Sequence, residues 1–199
     1  MDGEFDEDRA YIYSIGTKTG RTVSSGATKA ILALRVAPAV DNGIVGSFGS
    51  RELINRMQLV MKDCQIVANG VFFVELVLNP TVTISATWEN VGGTSLAQYA
   101  ELNDNCELVG GEVVYAFYAG DAGGFGAGAS TVPLGDVKEV SNSILGGGLD
   151  QLVVDSGNPT GVFPDGPEVF AVRVTNIAGG FGNNSRSADF KFSWTEAQA

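Results

Sequence analysis

The chain contains no histidine and only two cysteines among its 199 residues. Histidine is the usual general base near neutral pH and the commonest metal ligand, so its absence argues against much of enzyme chemistry. Cys64 and Cys106 are too few for a disulfide framework or a structural zinc site. One bridge between them is geometrically possible, but two buried thiols are more typical of a protein assembled in a cytoplasm. We therefore expect no enzyme activity and no cofactor or metal.

Basic residues are also few. Lys and Arg number 12 against 23 Asp and Glu, which gives a formal net charge of −11. Nucleic acids attract basic surfaces because binding releases counterions, so this balance argues against a nucleic-acid partner. An acidic surface also serves solubility alone. No apolar run approaches the roughly 20 residues that a transmembrane helix needs, so we expect no membrane partner.

The beginning of the chain is acidic, with Asp2, Glu4, Asp6, Glu7 and Asp8 among its first residues. A secretory signal has the opposite pattern, a basic start followed by an apolar run. We therefore expect residues 1–9 to form an acidic tail and residues 10–199 to form a single β-sandwich domain. The protein is expected to be made in a cytoplasm and to reach its destination by assembly.

The sequence does contain many short apolar runs, together with 27 glycines. Residues 29–36 form a compact apolar run that is typical of a strand buried on both faces. Asn69-Gly70 separates two further runs, which predicts a β-hairpin because both turn positions favour positive φ. About ten such strands predict an all-β antiparallel β-sandwich or jelly roll with long glycine-rich loops. At most one short helix is expected, near residues 50–56.

Both tryptophans are predicted core residues. Residues 81–88 alternate strictly between apolar and polar side chains, which predicts a strand with Trp88 facing the core. Trp194 lies in the aromatic run that closes the chain, and the same alternation places it in the core.

Two phenylalanines stand out because glycines surround them. Phe125 lies in the glycine-rich residues 120–130, and Phe181 lies in the similar residues 179–184. A large apolar side chain in such a loop is a candidate contact with a neighbouring subunit. The alternative is that each phenylalanine folds back over its own core.

Calcium is the cofactor that is least easily dismissed. Asn103-Asp104-Asn105 and Asp41-Asn42 offer oxygen ligands in loops, which suit a hard cation. Neither segment has an EF-hand pattern, and Asn and Asp are ordinary turn residues. The turn interpretation is therefore preferred.

One segment carries a family resemblance. Residues 79–91, which read NPTVTISATWENV, resemble a segment recurrent in virion structural proteins of tailed bacteriophages, especially cyanophages and other marine phages. Weaker similarities follow the same order along the chain: Arg35 in an apolar strand, Tyr99 after the motif, the pair Gly110-Gly111, and Ser-Trp-x-Glu beginning at Ser193. The resemblance covers roughly residues 30–196.

The resemblance implies a component of the virion. Proteins of this kind are capsid decoration proteins or tail, baseplate or fibre adaptors, and they act by assembling with other virion proteins. It also implies a homotrimer, because such proteins are commonly trimeric. The alternative is a fibre module that binds a host glycan, which usually needs exposed Trp and Tyr side chains. Because Trp88 and Trp194 are predicted to lie in the core, the sequence favours assembly.

Overall fold

The computed structural model describes residues 12–37, 57–83, 86–92, 95–120, 128–134, 145–146, 168–177 and 185–198. The strand pairs in these ranges are antiparallel, and the ranges contain no α-helix. The prediction of an all-β antiparallel sandwich is therefore confirmed.

The short helix expected near residues 50–56 and the acidic tail of residues 1–9 lie outside the described residues. The single domain expected for residues 10–199 stays a prediction. Within the same ranges, no helix is long and apolar enough to cross a membrane.

The strands of the described ranges are, in chain order, β1 Ile12–Gly16, β2 Arg21–Val23, β3 Thr28–Val36, β4 Met57–Ala68, β5 Phe72–Leu78, β6 Thr81–Val82, β7 Glu89–Asn90, β8 Ala97–Glu101, β9 Leu108–Val109, β10 Glu112–Ala119, β11 Gly128–Pro133, β12 Leu145–Gly146, β13 Val169–Asn176 and β14 Arg186–Gln198.

These strands form two large sheets and one small ribbon. In the first sheet, β4 and β14 pair along most of their length. β1 and β2 share the outer side of β14, while β11 and β12 share the outer side of β4. The second sheet has the order β10-β5-β13-β3-β8-β7, and β6 pairs with β9 in the ribbon. The two large sheets form the sandwich.

The core lies between the two large sheets and is rich in aromatic side chains. On β14 the alternation places Phe190, Phe192 and Trp194 inward, and all three are buried. The Phe192 ring lies 5.3 Å from that of Phe170, which comes from the second sheet. The Phe190 and Phe192 rings meet edge to face, with their centroids 5.1 Å apart. These contacts join the two sheets through a well-packed aromatic interior.

A β-bulge on β4 adjusts the pattern of inward-facing residues. The pairing with β14 passes from Asp63 to Met61 and leaves Lys62 as the extra residue. Met61 and Cys64 are therefore both buried although they are three positions apart. A bulge changes the alternation in this way because two residues on one strand oppose a single residue on the other.

The hairpin predicted at Asn69-Gly70 is wrong. β4 belongs to the first sheet and β5 to the second, so this connection passes the chain between sheets instead of joining paired strands. Neither residue has positive φ, which the expected turn would require. Asn69 instead extends the pairing with β14: its backbone N–H donates to the Ser187 carbonyl, and its side-chain oxygen accepts from the Ser187 N–H at 2.7 Å.

β3 is buried on both faces, as the compact apolar run predicts. Its inward face joins the central core. Its outward face carries Ala30 and Ala33, which cluster with Ala100, Ala171 and other buried residues. The β6–β9 ribbon covers this face, because Val82 and Leu108 pack against the same cluster. Small alanine side chains allow this third layer to approach the sheet closely.

The regular strand predicted over residues 81–88 is also wrong. The described part contains only the two-residue strand β6, and Trp88 follows in an irregular segment before β7. Trp88 is half-buried and packs against the outer alanine cluster, not in the central core. The strand pattern fails here because these residues cover a sheet from outside and do not pair within it.

Trp194 anchors the segment Ser-Trp-x-Glu. Its ring is fully buried and lies 6.1 Å from that of Tyr13, nearly parallel to it. The indole N–H donates to the Glu196 carboxylate at 2.9 Å. The same carboxylate accepts from the Ser95 hydroxyl and from the Leu96 backbone N–H, in the loop before β8. Trp194 and Glu196 therefore tie the last strand of the first sheet to the second sheet.

The different burial of the two tryptophans gives a stability prediction. Trp194→Ala should lower the free energy of unfolding by about 3–5 kcal/mol, because it removes a large buried aromatic side chain. Trp88→Ala should lower it by clearly less, because part of that ring is already in contact with water. Denaturant unfolding of both variants measures the difference. Trp194→Phe keeps a buried ring and provides a folded variant if Trp194→Ala does not fold. Equal losses in the two alanine variants would contradict the assignment of Trp194 to the core.

Candidate assembly surface

Four connections cross between the two sheets at one end of the sandwich, which we call the loop end. They leave β2, β4, β10 and β13 and lead to β3, β5, β11 and β14 respectively. Gly120 begins one of them with a φ of 109°, and a Cβ atom there would overlap the Gly70 carbonyl. Gly120 and Gly70, and so the beginning of the β10–β11 connection and the β4–β5 connection, therefore pass very close to each other, and glycine is required at position 120.

The two predicted interface residues, Phe125 and Phe181, lie outside the described residues. The segments that contain them nevertheless start at the loop end, from the two strands that flank β5. Ala119 and Asn176 are both paired with Phe72, from opposite sides of β5. Neighbouring strands lie about 4.8 Å apart, so the two segments leave the sheet roughly 10 Å from each other. Whether these two phenylalanines contact a neighbouring subunit stays a prediction.

The described residues show an exposed apolar surface beside these starting points. Tyr118 is 70% exposed, and its ring lies 5.3 Å from that of Phe73 on the outer face of the second sheet. Ile177 is 42% exposed and donates its backbone N–H to the Val71 carbonyl, one step further along the same strands. We call Phe73, Tyr118 and Ile177 the Tyr118 patch. Apolar residues that group on a surface in this way typically mark a contact site.

The sequence alone does not identify the Tyr118 patch, because it does not determine which faces of β5 and β10 point outward. In β10, Tyr115 and Phe117 pack against the core, while Ala116 and Tyr118 are exposed. The alternating order of these residues is visible in the sequence. Which of the two sets faces the core depends on the pairing with β5, where Tyr118 lies opposite Phe73.

An ion pair lies on the same sheet, close to the Tyr118 patch. Arg173 on β13 donates from Nε to one oxygen of Glu75 at 2.7 Å and from a terminal nitrogen to the other oxygen at 3.0 Å. The hydrogen bonds to Glu75 raise the pKa of Arg173, so the guanidinium stays charged. Two hydrogen bonds join the guanidinium to the carboxylate, so the pair fixes β13 against β5. Because the two groups are already hydrogen-bonded to each other, little of their hydrogen-bonding capacity is left for a ligand.

A second polar cluster joins the sheets on the opposite side of the sandwich. Lys18, in the loop after β1, donates to Glu89 on β7 at 3.2 Å, and the Tyr99 hydroxyl donates to the same oxygen at 2.6 Å. Hydrogen bonds from Tyr99 and Lys18 lower the pKa of Glu89. The Lys18 backbone N–H also donates to Glu101 on β8. These groups are paired with one another, so the cluster closes the side of the sandwich.

The Asn103-Asp104-Asn105 segment forms a turn whose acidic group is already paired. Lys29 donates to the Asp104 carboxylate at 2.7 Å, and Arg21 lies 3.9 Å from the same oxygen. The hydrogen bond from Lys29 contributes most to lowering the pKa of Asp104. The Asn103 side-chain oxygen accepts from the Asn105 backbone N–H, as in an Asx turn. This arrangement supports the turn interpretation over a calcium site.

Trp88 takes part in a ladder of polar groups on the outer face of the second sheet. The Arg35 guanidinium lies 4.0 Å from the centre of the indole ring. Arg35 donates twice to the Gln98 side-chain oxygen, and the Gln98 amide donates to Asn90 at 3.1 Å. Partial burial lowers the pKa of Arg35. One face of the indole is therefore covered by the guanidinium.

The two thiols are separate and buried. Cys64 lies in the central core and Cys106 in the outer alanine cluster, and both are free. Burial raises the pKa of Cys64 to about 12, and the neighbouring Asp63 adds to the effect. A thiol with this pKa is not a nucleophile at neutral pH, because the thiolate is the reactive form.

The net charge is distributed unevenly along the chain. The described ranges contain eight basic and ten acidic residues, while the remaining positions contain four basic and thirteen acidic residues. The described part of the sandwich is therefore nearly neutral. Most of the acidity belongs to the sequence outside it, including the first nine residues.

Two small depressions lie on the described surface near the Asn103 turn. Their volumes are about 200 and 240 Å³, and they lie on either side of Asn103. Arg21 and Glu101 line the first, and Lys29 and Arg173 line the second. These volumes are below those typical of small-molecule sites. In the ranges that the structure describes, no group of three or more acidic or cysteine side chains is arranged to hold a metal ion.

Comparisons with known proteins give limited information. No family model and no curated protein matches the chain. A solved structure of infectious bursal disease virus, Gx strain, matches with a TM-score of 0.31 and 11% identity, over 97% of this chain and 33% of that chain. This chain therefore spans about a third of the length of the viral chain that it matches. A similarity this low establishes neither a shared fold nor a shared function. The matched virus is a birnavirus and not a tailed phage.

The burial of the thiols gives a prediction about their reactivity. Iodoacetamide should leave Cys64 unmodified in the folded protein at pH 8 and modify it fully in denaturant, because the raised pKa keeps the thiol protonated. Above about pH 8.5 the unfolded chain loses a proton that the folded chain keeps, so the contribution of Cys64 to stability falls as pH rises towards 12. Mass spectrometry after timed alkylation measures the modification. Rapid modification of Cys64 in the folded protein would contradict its position in the core.

Proposed function

We propose that this chain is a structural protein of a virus particle and acts through protein–protein contacts. At the finer level, we propose a capsid decoration protein or a tail, baseplate or fibre adaptor of a tailed bacteriophage. The resemblance of residues 79–91 to phage structural proteins supports the finer proposal. The partners are other virion proteins, and the resemblance favours a homotrimer.

The Tyr118 patch is the observation that carries the proposal. A tyrosine that is 70% exposed, in contact with Phe73, is typical of a protein–protein interface, where aromatic side chains are enriched. Its position also fits assembly, because the segments that contain Phe125 and Phe181 leave the sheet beside it. The patch and the starting points of both segments lie at the loop end, so a partner that binds the patch would come close to these starting points.

The contacts of the charged side chains support a structural role. Four cations, Lys18, Arg21, Lys29 and Arg173, are in ion pairs with acidic residues on other strands or loops. Glu196 binds Trp194 and the Ser95 loop. These groups tie neighbouring strands, loops and sheets to one another, and such contacts leave them little freedom to act on a substrate. The absence of enzyme activity is part of the proposal.

Glycan binding is the second candidate, and the half-buried position of Trp88 favours it more than the sequence did. Asn90 and Gln98 provide polar groups near the indole, as glycan sites require. The Arg35 guanidinium, however, covers one face of the ring at 4.0 Å. A sugar would have to stack on the other face of the indole, and the Trp88 side chain is already packed against the alanine cluster. Assembly is therefore preferred.

Particle composition tests the proposal. Virions purified from infected cells should contain the chain in a fixed ratio to the major capsid or tail protein, as measured by quantitative mass spectrometry, and labelled antibody should mark one location on intact particles. If the chain is abundant in infected cells but absent from purified virions, the proposal is wrong.

A pair of double variants tests the Tyr118 patch separately. Tyr118→Ser with Ile177→Ser should reduce the amount of the chain in particles at least several-fold, because it removes two exposed apolar contacts. The matched control is Ile12→Ser with Val109→Ser, which removes two exposed apolar side chains away from the loop end and should leave incorporation unchanged. Both double variants should melt close to the parent, because exposed substitutions change stability little. If the two double variants enter particles in equal amounts, the Tyr118 patch is not the contact with the particle.

The same protein can be tested on a glycan array. Binding that persists in high salt and is lost in a folded Trp88→Ala variant would favour the glycan-binding module. Absence of binding, together with the presence of the chain in virions, would support assembly alone.

A further inference from the structure

β10 is an edge strand with an unusual surface. Among the described strands it pairs only with β5, and no described strand is hydrogen-bonded to its other side. From Val113 to Ala119 it contains no charged residue, no proline and no glycine. Exposed strand edges normally carry such residues because they prevent pairing with another chain. A long apolar edge without them is suited to pairing.

The other edges of the two large sheets are shorter than β10, and β1, the five-residue edge beside β14, ends in Gly16. β7 has only two residues, Glu89 and Asn90, and both are exposed. β11 ends in Pro133, which cannot donate a backbone hydrogen bond. β10 has eight residues, and its bulge near Val114 lies at the beginning and leaves the five residues after it regular. The regular part of β10 is therefore the edge best suited to pairing.

The regular part of β10 is self-complementary. Its residues are Tyr115, Ala116, Phe117, Tyr118 and Ala119. If the strand runs antiparallel to a copy of itself about Phe117, Tyr115 lies opposite Ala119 and Ala116 lies opposite Tyr118. Each of these pairs joins a large side chain to a small one on the same face. No like charges meet, although like charges directly opposite each other would weaken the pairing.

We propose that β10 of one copy pairs antiparallel with β10 of a second copy about a twofold axis at Phe117, so that the second sheets of the two copies become continuous. Each Tyr118 then covers the Ala116 of the partner on the outer face. The Tyr115 and Phe117 side chains, which are only partly buried in a single copy, gain cover on the core side. The occupant of this edge is thus another molecule of the same chain.

The pairing does not depend on a role in virions. Five paired residues bury less than the roughly 1,200 Å² of a stable interface, so the contact alone should be weak. A twofold contact also differs from the threefold symmetry that the family resemblance implies, so in a trimer β10 would join separate trimers. Because the contact is expected to be weak, the test should trap it covalently.

Single cysteines placed on the exposed face of β10 test both the contact and its register. Opposite Cα atoms on antiparallel strands lie about 4.5–5.5 Å apart, which a disulfide can bridge. Ala116→Cys mixed with Tyr118→Cys should therefore give a disulfide-linked dimer under mild oxidation. Each variant alone should give at least tenfold less, because identical positions would be about 8 Å apart in this register. The native thiols are buried and should not contribute.

Several results would overturn the proposal. Equal cross-linking of Ala116→Cys with itself would show a different register. No cross-linking in any mixture would show that a different occupant covers the edge, either a segment of the same chain outside the described ranges or another protein. A Val67→Cys variant, exposed on the first sheet, measures the background from random collisions. If the yield of disulfide-linked dimer from the β10 variants does not exceed that background, the contact is rejected as well.

A charge exchange provides an independent measurement without disulfides. Ala116→Lys with Tyr118→Lys places like charges opposite each other in the proposed pair, and Ala116→Glu with Tyr118→Glu does the same. Each double variant should lose self-association in sedimentation at high protein concentration, and their mixture should regain it as a one-to-one pair. Failure of the mixture to associate, while the parent does, would reject the register. The particle experiment above is separate, because the chain could enter virions with or without this contact.

Discussion

The packing of the aromatic row on β14 against the second sheet is the interaction on which the rest of the structure depends. Phe192 touches both Phe190 and Phe170, so one side chain connects the two sheets. The bulge at Lys62 then allows the paired strand β4 to keep apolar residues inward from Leu59 to Ala68. Because β14 lies in the middle of the first sheet, a shift of one residue in its register would move these rings to the solvent face. The positions of the loop end and of the Trp194–Glu196 contact both follow from this register.

Much of the fold could be predicted from the sequence, because strand patterns are local. The alternation over residues 190–194 and the apolar run in β3 each correspond to an observed strand, and β3 is buried on both faces. What the sequence could not supply was the partner of each strand. Asn69-Gly70 has the residues of a hairpin turn, yet β4 pairs with β14 in one sheet and β5 pairs with β10 and β13 in the other. Trp88 follows the alternating pattern of a strand, yet it lies in a third layer that only the tertiary structure creates.

The candidate site was less predictable than the fold for a related reason. Phe125 and Phe181 stand out because glycines surround them, which is a property of the sequence alone. Tyr118 does not stand out in the sequence, since β10 has apolar residues on both faces and only its pairing with β5 determines which face is exposed. The structure adds that Ala119 and Asn176 lie on either side of Phe72. The starting points of the two glycine-rich segments and the Tyr118 patch therefore lie at one end of the molecule, although they are distant in the sequence.

The uneven distribution of charge suggests how such a surface can remain soluble. The described part of the sandwich is nearly neutral and has an apolar edge, so on its own it has little electrostatic protection against association. The remaining positions contain thirteen acidic residues and give each molecule a repulsion that acts over about the 8–10 Å Debye length in ordinary salt. The apolar contacts act only when surfaces touch. The short-range attraction allows contact when copies of the chain are held together. The longer-range repulsion opposes contact when copies meet by chance in dilute solution. This combination is what a protein needs if it must remain dispersed until it is added to a larger assembly.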